Sequence, residues 1–208
     1  MTIQVDIISD VVCPWCFIGK RHLEEALQRV GEEVSVVWHP FQLNPDTPAE
    51  GDAYLPFLEH KFGGAEQVRR IWERTRQAGG QAGIDFAFER IAIRPNTLKA
   101  HRLIRRAQRN GQADALVERL FVGHFQQGED IGSTETLARI AAELGDDAAA
   151  VRAYLASDED ADEIQGEIVL AEEMGIGGVP FFIFNRRIGV SGAQPADVLV
   201  QAIQEAFK

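Results

Sequence analysis

The strand–helix–strand pattern of the first forty residues is the feature that most constrains the fold. Residues 2–9 (TIQVDIIS) alternate apolar and polar side chains, which predicts a buried strand. Apolar side chains then recur at helical spacing up to Gly31, and a second alternating segment around Val34 and Val36 ends at Pro40. Such a crossover is nearly always right-handed and joins parallel strands. The N-terminal region is therefore predicted to be a βαβ unit.

The pattern is helical from about residue 52 to about residue 174 and returns to strand near the C-terminus. The apolar run VPFFIF predicts a strand, Asn185-Arg186 suits a tight turn, and Pro195 fits the first turn of a final helix. The predicted order is βαβ, a large all-helical insertion, then ββα, which makes an α/β fold. This order differs from that of a dinucleotide-binding domain, and no glycine-rich phosphate motif follows the first strand.

Turn-forming and capping residues subdivide the helical region. Gly79-Gly80 predicts a break in one helix, Asn96 predicts the start of the next, and Asn110-Gly111 predicts its end. Gly128 predicts the end of a further helix, and Ser133 predicts the start of the one after it. We see no internal repeat, so a single helical subdomain is the simplest organisation.

The chain's only two cysteines, Cys13 and Cys16, follow the first predicted strand in the segment DVVCPWCFIGK. A structural cross-link between them would close a very short loop and stabilise the fold little, because the gain grows with loop length. Structural zinc normally needs four ligands, and the sequence has no second cysteine pair and only scattered histidines. No metal site is therefore predicted. A redox pair is the favoured interpretation, and two free core thiols are the alternative.

Charge and composition argue against several partners. The formal net charge of −11 over 208 residues disfavours binding to nucleic acid or to an anionic membrane surface. No apolar run approaches the roughly 20 residues that span a bilayer. The N-terminal MTIQVDIISD lacks the basic and continuous apolar regions of a signal peptide. We therefore expect a cytoplasmic protein, in which C-x-x-C more often serves catalysis than cross-linking.

Five segments together resemble one family: DVVCPWCFIGK, FQLNP, NTLKAHRL, GIGGVPFFIF and VSGAQP. With the helical insertion, they are similar to the DsbA family of the thioredoxin superfamily, and in particular to its FrnE-like disulfide oxidoreductases. The resemblance covers nearly the whole chain and implies a DsbA-like thioredoxin fold. Residues 1–45 and 175–208 would form the thioredoxin-like domain. Residues 46–174 would form the helical insertion, and part of its last long helix would pack on that domain.

The resemblance also implies roles for individual residues. Cys13 matches the exposed nucleophile of the family, and Cys16 matches the more buried resolving thiol. Pro180 matches the family's cis-proline, which lies against the cysteines and, together with Val179, helps to receive substrate.

The chemistry of the pair can be argued from the residues themselves. A helix that begins near Cys13 presents unpaired N–H groups and a partial positive charge to its sulfur, which favours the thiolate, and Pro14 suits a helix start. Exchange would pass through a mixed disulfide at Cys13 that Cys16 resolves. Trp15 is expected to tune the pair. Because an indole offers bulk and one N–H where a histidine would offer charge, we expect a pair less oxidising than the strong periplasmic oxidants.

Other residues are weaker candidates for the site. His101, in NTLKAHRL, lies on a predicted helix and is expected to pack or to hydrogen-bond rather than to transfer protons. Phe41 and Leu43 either line a groove beside the cysteines or belong to the core. His39, which precedes Pro40, is expected to be structural.

Three functions remain open at this point. The favoured one is an oxidoreductase that exchanges disulfides with protein or small-molecule thiols, without a cofactor beyond its own redox pair and with glutathione as a candidate reductant or co-substrate. The alternative is a glutathione-dependent isomerase or transferase resembling the 2-hydroxychromene-2-carboxylate isomerases and kappa-class enzymes, which typically carry serine at the position of Cys13. The third is a redox-gated protein that binds an extended peptide along the backbone of Val179. Substrate, direction of exchange and oligomeric state are not fixed by the sequence.

Overall fold

A computed structural model describes residues 3–31 and 33–208. Met1 and Thr2, which belong to the predicted first domain and the predicted first strand, lie outside the described residues. The strands are β1 (Ile3–Ser9), β2 (Val34–Pro40), β3 (Asp52–Ala53), β4 (Ile93–Arg94), β5 (Phe181–Phe184) and β6 (Ile188–Ser191). The main sheet has the order β2-β1-β5-β6, in which β1 and β2 are parallel and the other neighbours antiparallel. Strands β3 and β4 form a separate antiparallel pair.

Helices connect the strands and account for most of the chain between β2 and β5, but the insertion is not all-helical as predicted, because β3 and β4 lie within it. The helices are α1 (Pro14–Val30), α2 (Tyr54–Phe62), α3 (Ala65–Gln81), α4 (Leu98–Arg109), α5 (Ala113–Val122), α6 (Thr134–Glu143), α7 (Ala148–Ala156), α8 (Ala161–Glu173) and α9 (Ala196–Ala206). The predicted order of βαβ, helical insertion and ββα is therefore confirmed. Within the described ranges, no helix combines the length and the apolar composition that crossing a bilayer requires.

Strand β1 lies in the middle of the sheet and is covered on both faces. Ile3, Val5 and Ile7 are at most 2% exposed, and Val5 stands opposite Val36 of β2 and Phe184 of β5. Ile3, Val5 and Ile7 share one face of the strand, and the burial of that face explains the alternation of apolar and polar residues in the sequence. The turn between β5 and β6 places Asn185 and Arg186 at positive φ, 48° and 56°, as the sequence predicted for a tight turn there.

Helix α1 joins the sheet to the helical insertion through an aromatic cluster. The ring of Phe17 stacks on Phe121 of α5 at 5.0 Å between ring centres, and Phe86 meets it edge-on at 6.1 Å. Lys20, only 3% exposed, adds ion pairs at 3.2 Å to Asp114 and Glu118 of α5. Helix α8, from the predicted insertion, also contacts β2. The division into two domains stays a prediction.

The predicted helix break at Gly79-Gly80 is wrong, because α3 continues to Gln81. The reason lies in the segment that follows, where the chain folds back and Ile84 donates a hydrogen bond to the Gly79 carbonyl at 2.8 Å. The ring of Phe86 then occupies the place where a side chain at position 79 would stand. Gly79 therefore provides room for a neighbouring ring and does not end the helix.

One further helix boundary differs from the sequence analysis, and the predicted end at Gly128 is confirmed. Thr97, not Asn96, occupies the N-cap position of α4, although the Asn96 side chain accepts a hydrogen bond from the Leu98 N–H at 3.0 Å. Helix α5 ends at Val122 and continues as a π-helical turn, which Gly128 closes at a φ of 75°. Helix α7 had no predicted counterpart.

Phe121→Ala should destabilise the protein by about 3–5 kcal/mol, the usual cost of removing a fully buried phenylalanine ring. Phe121 is 0% exposed and stacks on Phe17, so the cavity would open where α1 meets the insertion. Urea unfolding of the reduced protein measures the change. Leu170→Ala, at a side chain that is 53% exposed, is the control and should cost less than about 0.5 kcal/mol. Equal losses for the two variants would contradict the prediction.

Candidate active site

The two cysteines lie where β1 ends and α1 begins. Cys13 is the N-cap residue of α1, with extended backbone angles, and Pro14 is the first helical residue. The Cys13 carbonyl accepts the Cys16 N–H at 3.0 Å, and the Cys13 N–H donates to the Asp10 carbonyl at the same distance. Both thiols are free. The sulfur of Cys13 therefore stands at the end of the helix where the peptide dipoles place partial positive charge.

The resemblance implied an exposed Cys13 and a buried Cys16, and the exposure of Cys13 is not found. Cys13 is 4% exposed and Cys16 is 2% exposed. The two thiols differ in what they face, because Cys13 lines a cavity at the protein surface and Cys16 does not. One group that covers Cys13 is the Val179 carbonyl, which lies 3.5 Å from its sulfur.

A turn before β5 approaches the cysteines from the other side. The Val179–Pro180 peptide bond is cis, the isomer that the resemblance implied, and the Cys13 thiol donates to the Val179 carbonyl at 3.5 Å. Helix α1 can come this close because position 19 is glycine. A Cβ atom on Gly19 would stand 2.9 Å from Pro180 Cγ, which is closer than packed carbon atoms approach.

The burial of Cys16 affects the protonation of its thiol. Desolvation raises the pKa of the Cys16 thiol well above its usual range, and the neighbouring Cys13 raises it further. The Ser9 hydroxyl and the Asp10 backbone oppose this rise without cancelling it. Cys16 is therefore held as a neutral thiol as long as Cys13 is not part of a disulfide.

A buried pair of polar side chains holds the loop that follows β2. Asp10, 1% exposed, accepts a hydrogen bond from the Leu43 N–H at 2.8 Å. His101, 4% exposed, places Nε2 at 2.9 Å from the Phe41 carbonyl and 3.3 Å from Asp10 Oδ1. Because Nε2 faces two acceptors, we infer that it carries the proton. His101 does not line the cavity that contains Cys13.

Leu43 and Phe41, the two groove candidates that follow β2, lie in different surroundings. Leu43 lines the cavity beside Cys13, but Phe41 does not, so its assignment to that groove is corrected. The Phe41 N–H pairs with the Ser9 carbonyl at 3.0 Å and extends the ladder between β1 and β2. Its side chain is thereby turned into a small core cluster with Ile8 and its neighbours. His39 bridges carboxylates of β1 and α8, consistent with its predicted structural place.

The cavity beside Cys13 has a volume of about 340 Å³. Helices α2 and α3 supply much of its wall. Its aromatic lining consists of Trp15, Tyr54, Phe57, Phe62, Trp72 and Phe88. Polar lining comes from Asn44, Lys61, Thr75, Arg94 and His124. A volume in this range is typical of sites for small molecules.

Sequence analysis did not identify Lys61, Trp72 or His124 as site residues. A signal for the first was present, because Tyr54, Phe57 and Lys61 recur at helical spacing and place a cation within an apolar stripe. No comparable signal marked His124, which lies among apolar residues that resemble an ordinary core stripe.

His124 is a fully buried imidazole in the cavity wall. Its side chain is 1% exposed, and its Nδ1 has no hydrogen-bond partner among the described residues. Burial lowers the pKa of His124 to about 4, and neither the Glu129 backbone nor the charge of Asp10 offsets this effect. His124 is therefore neutral at physiological pH.

The decrease in the free energy of unfolding at acidic pH should depend on His124. Its pKa is 6.5 when unperturbed and about 4 when buried, so between these values the unfolded chain binds more protons. The free energy of unfolding is then complete above pH 6.5 and falls as the pH drops toward 4, by about 3 kcal/mol for this group. His124→Phe should flatten that part of the stability profile in urea titrations. His60→Phe, at an exposed histidine, is the control, and an unchanged profile for His124→Phe would refute the assignment.

Comparisons with known proteins agree with this geometry. A model of the DSBA-like thioredoxin domain matches residues 4–204. The uncharacterized protein YwbO of Bacillus subtilis (strain 168) is 30% identical over 210 residues, which cover 100% of this chain and 99% of that protein.

Solved structures show the same relationship. The probable DsbA oxidoreductase SCO1869 from Streptomyces coelicolor is 33% identical, with a TM-score of 0.86 over 99% of this chain and 90% of that chain. The cytosolic disulfide reductase DsbM from Pseudomonas aeruginosa, solved with GSH, shares the fold at 17% identity and a TM-score of 0.66, over 98% of this chain and 95% of that chain. The match across nearly the whole length shows that the chain belongs to the DsbA-like family of thioredoxin-domain proteins.

Proposed function

We propose that this chain is a thiol–disulfide oxidoreductase whose redox pair is Cys13 and Cys16. The observation that carries the proposal is the position of Cys13, which stands at the N-terminus of α1 and lines the cavity while Cys16 is buried behind it. A nucleophile at a helix N-terminus and a resolving thiol one turn away are what a two-step exchange needs. Membership of the DsbA-like family supports this activity in general terms.

The first step is attack by the Cys13 thiolate on one sulfur of a substrate disulfide. A Cys13–substrate bond forms, and the other half of the substrate leaves as a thiolate. Because Cys13 is one of the causes that raise the pKa of Cys16, conversion of Cys13 into a mixed disulfide removes that cause. Cys16 then loses its proton more easily and attacks the Cys13 sulfur, which releases the second thiolate and leaves the Cys13–Cys16 disulfide.

Val179 and Pro180 are proposed to receive the substrate. The Val179 carbonyl lies 3.5 Å from the Cys13 sulfur, so a chain that runs along this turn passes beside the nucleophile. Trp15, half-buried at the cavity rim with the Arg74 guanidinium 6.0 Å from its ring centre, is proposed to shield the mixed disulfide. We also propose that the chain belongs to the FrnE-like branch of the family and that it acts in the cytoplasm.

The glutathione-dependent isomerase remains the second candidate, since it shares the overall fold. One feature favours the oxidoreductase over it. An enzyme that activates the thiol of bound glutathione has no need of a resolving thiol, yet Cys16 is present and lies directly behind Cys13. Glutathione is instead proposed as a reductant or as one of the thiols exchanged.

Cys16→Ser should trap the mixed disulfide, because the nucleophile is retained and the resolving thiol is lost. Incubation of the reduced variant with a small disulfide should add one substrate half to Cys13, and intact-protein mass spectrometry measures the adduct. Cys13→Ser is the matched control and should form no adduct, because Cys16 does not line the cavity. An adduct on Cys16 in this control would reverse the assigned roles.

The Cys13–Cys16 couple should be reversible and less oxidising than about −120 mV, the value of a strong periplasmic oxidant. Trp15 supplies bulk rather than charge beside the pair, so the thiolate receives less stabilisation than an adjacent histidine would give. Equilibration against glutathione buffers, followed by alkylation mass shift, gives the value. Failure to observe any reversible couple would exclude the oxidoreductase and bring the isomerase forward.

A further inference from the structure

The wall of the cavity beside Cys13 carries a charge opposite in sign to that of the whole protein. The chain has a formal net charge of −11. Among the described residues, those that line the cavity beside Cys13 include Lys61 and Arg94 but no aspartate or glutamate. An anion that approaches this cavity therefore meets positive side chains with no carboxylate in the wall.

Of the two cations in the cavity wall, Lys61 is the one that is not paired with a carboxylate among the described residues. Arg94 is already paired with Asp52, through a hydrogen bond of 2.7 Å from Nε and a second one from its other nitrogen. Lys61 Nζ donates to Asn44 Oδ1 at 2.8 Å, and in the described part of the chain no carboxylate lies within ion-pair distance of it. Burial and the charge of Arg94 lower the pKa of Lys61, so a bound anion would stabilise its ammonium form.

The remaining surface of the cavity is apolar and partly open. The Lys61 ammonium lies 5.2 Å from the ring centre of Phe57. Phe62 and Ile71 at the wall are 40% and 38% exposed, so their apolar side chains are accessible to a ligand that enters the cavity. With a volume of about 340 Å³, the cavity suits an aromatic or branched apolar body of small-molecule size.

We propose that the cavity binds small anionic disulfides, with Lys61 contacting a carboxylate and the aromatic walls of α2 and α3 contacting an aromatic or branched apolar body beside Cys13. This inference names the substrate class of the proposed oxidoreductase and rests on that function. Lys61 is a specificity residue and takes no part in the transfer of electrons.

The exchange with such a substrate balances without a further reactant. Reduced Cys13 attacks the ligand disulfide R–S–S–R, and one RS⁻ leaves as the Cys13–S–S–R bond forms. Cys16 attacks the Cys13 sulfur and displaces the second RS⁻. Two electrons pass from the cysteine pair to the ligand, and the two thiol protons go to solvent or to the released thiolates. A single turnover of pre-reduced protein is therefore a complete reaction.

The test compares two aromatic disulfides in single turnovers of the pre-reduced, full-length protein. Dithiobis(nitrobenzoate) carries two carboxylates, and dithiodipyridine is neutral; the release of each chromophoric thiol is followed by absorbance. The ratio of the two second-order rate constants should fall about fivefold in Lys61→Gln, which corresponds to the loss of one partly exposed charge contact. Lys61→Arg should retain the ratio of the parent protein. Raising the salt concentration should reduce the ratio in the parent more than in Lys61→Gln.

Lys99→Gln is the matched control, since Lys99 bonds Thr134 at 3.0 Å and does not line the cavity. Its ratio should equal that of the parent protein. A ratio that Lys61→Gln leaves unchanged would overturn the inferred substrate class while both disulfides still react through Cys13. If the reduced protein transfers electrons to neither disulfide, the proposed oxidoreductase itself fails, which is a distinct result.

Discussion

The site depends on the close approach of α1 to the turn before β5. Antiparallel pairing of Ile8 with Phe181 brings the end of β1 and the start of β5 to the same edge of the sheet. The residues just beyond these ends, Cys13 and Val179, are therefore neighbours although 166 positions separate them. The approach is close only because Gly19 has no side chain to collide with Pro180. Any larger residue there would move the helix, and with it the sulfur.

The surroundings of the two similar thiols, rather than their exposure, make them chemically different. Both cysteines are nearly inaccessible, so exposure does not distinguish them. Cys13 occupies the cap of the helix and faces a cavity, whereas Cys16 is one turn further into the core and has only protein around it. A thiolate at Cys16 would have no solvent to stabilise it. Because Cys13 also raises the pKa of Cys16, the ease with which this thiolate forms depends on whether Cys13 is a free thiol or part of a disulfide.

The framework of the fold could be predicted because local sequence patterns specify its elements. Strand β1, helix α1 and the hairpin after Pro180 each carry their own periodicity or turn residues, and the two cysteines mark the junction between the first two. The break at Gly79-Gly80 failed for a non-local reason, since the space at Gly79 is used by a ring from a later segment. The burial of Cys13 likewise depends on a distant segment of the chain. The direction of the Phe41 side chain depends on strand pairing.

The cavity wall was the least predictable part of the site. Tyr54, Lys61 and Trp72 belong to two helices that look like ordinary amphipathic segments until the structure sets them opposite Cys13. His124 has no unusual neighbours in sequence, and only its burial without a partner at Nδ1 distinguishes it. A single sequence states which residues are apolar or charged, but it does not state which helix faces which, and a cavity is defined by that relation.

The reacting sulfur and much of the wall that would recognise a substrate come from different stretches of the chain. Cys13 caps α1 and Cys16 lies in its first turn, whereas residues 54–75, in α2 and α3, provide much of the wall as one short, continuous segment. Substitutions in this segment can alter the shape and charge of the cavity without touching the residues that set the chemistry of the thiols. Relatives with the same redox pair can therefore diverge in substrate choice through a segment of about twenty residues, and an experimenter can exchange that segment in the same way.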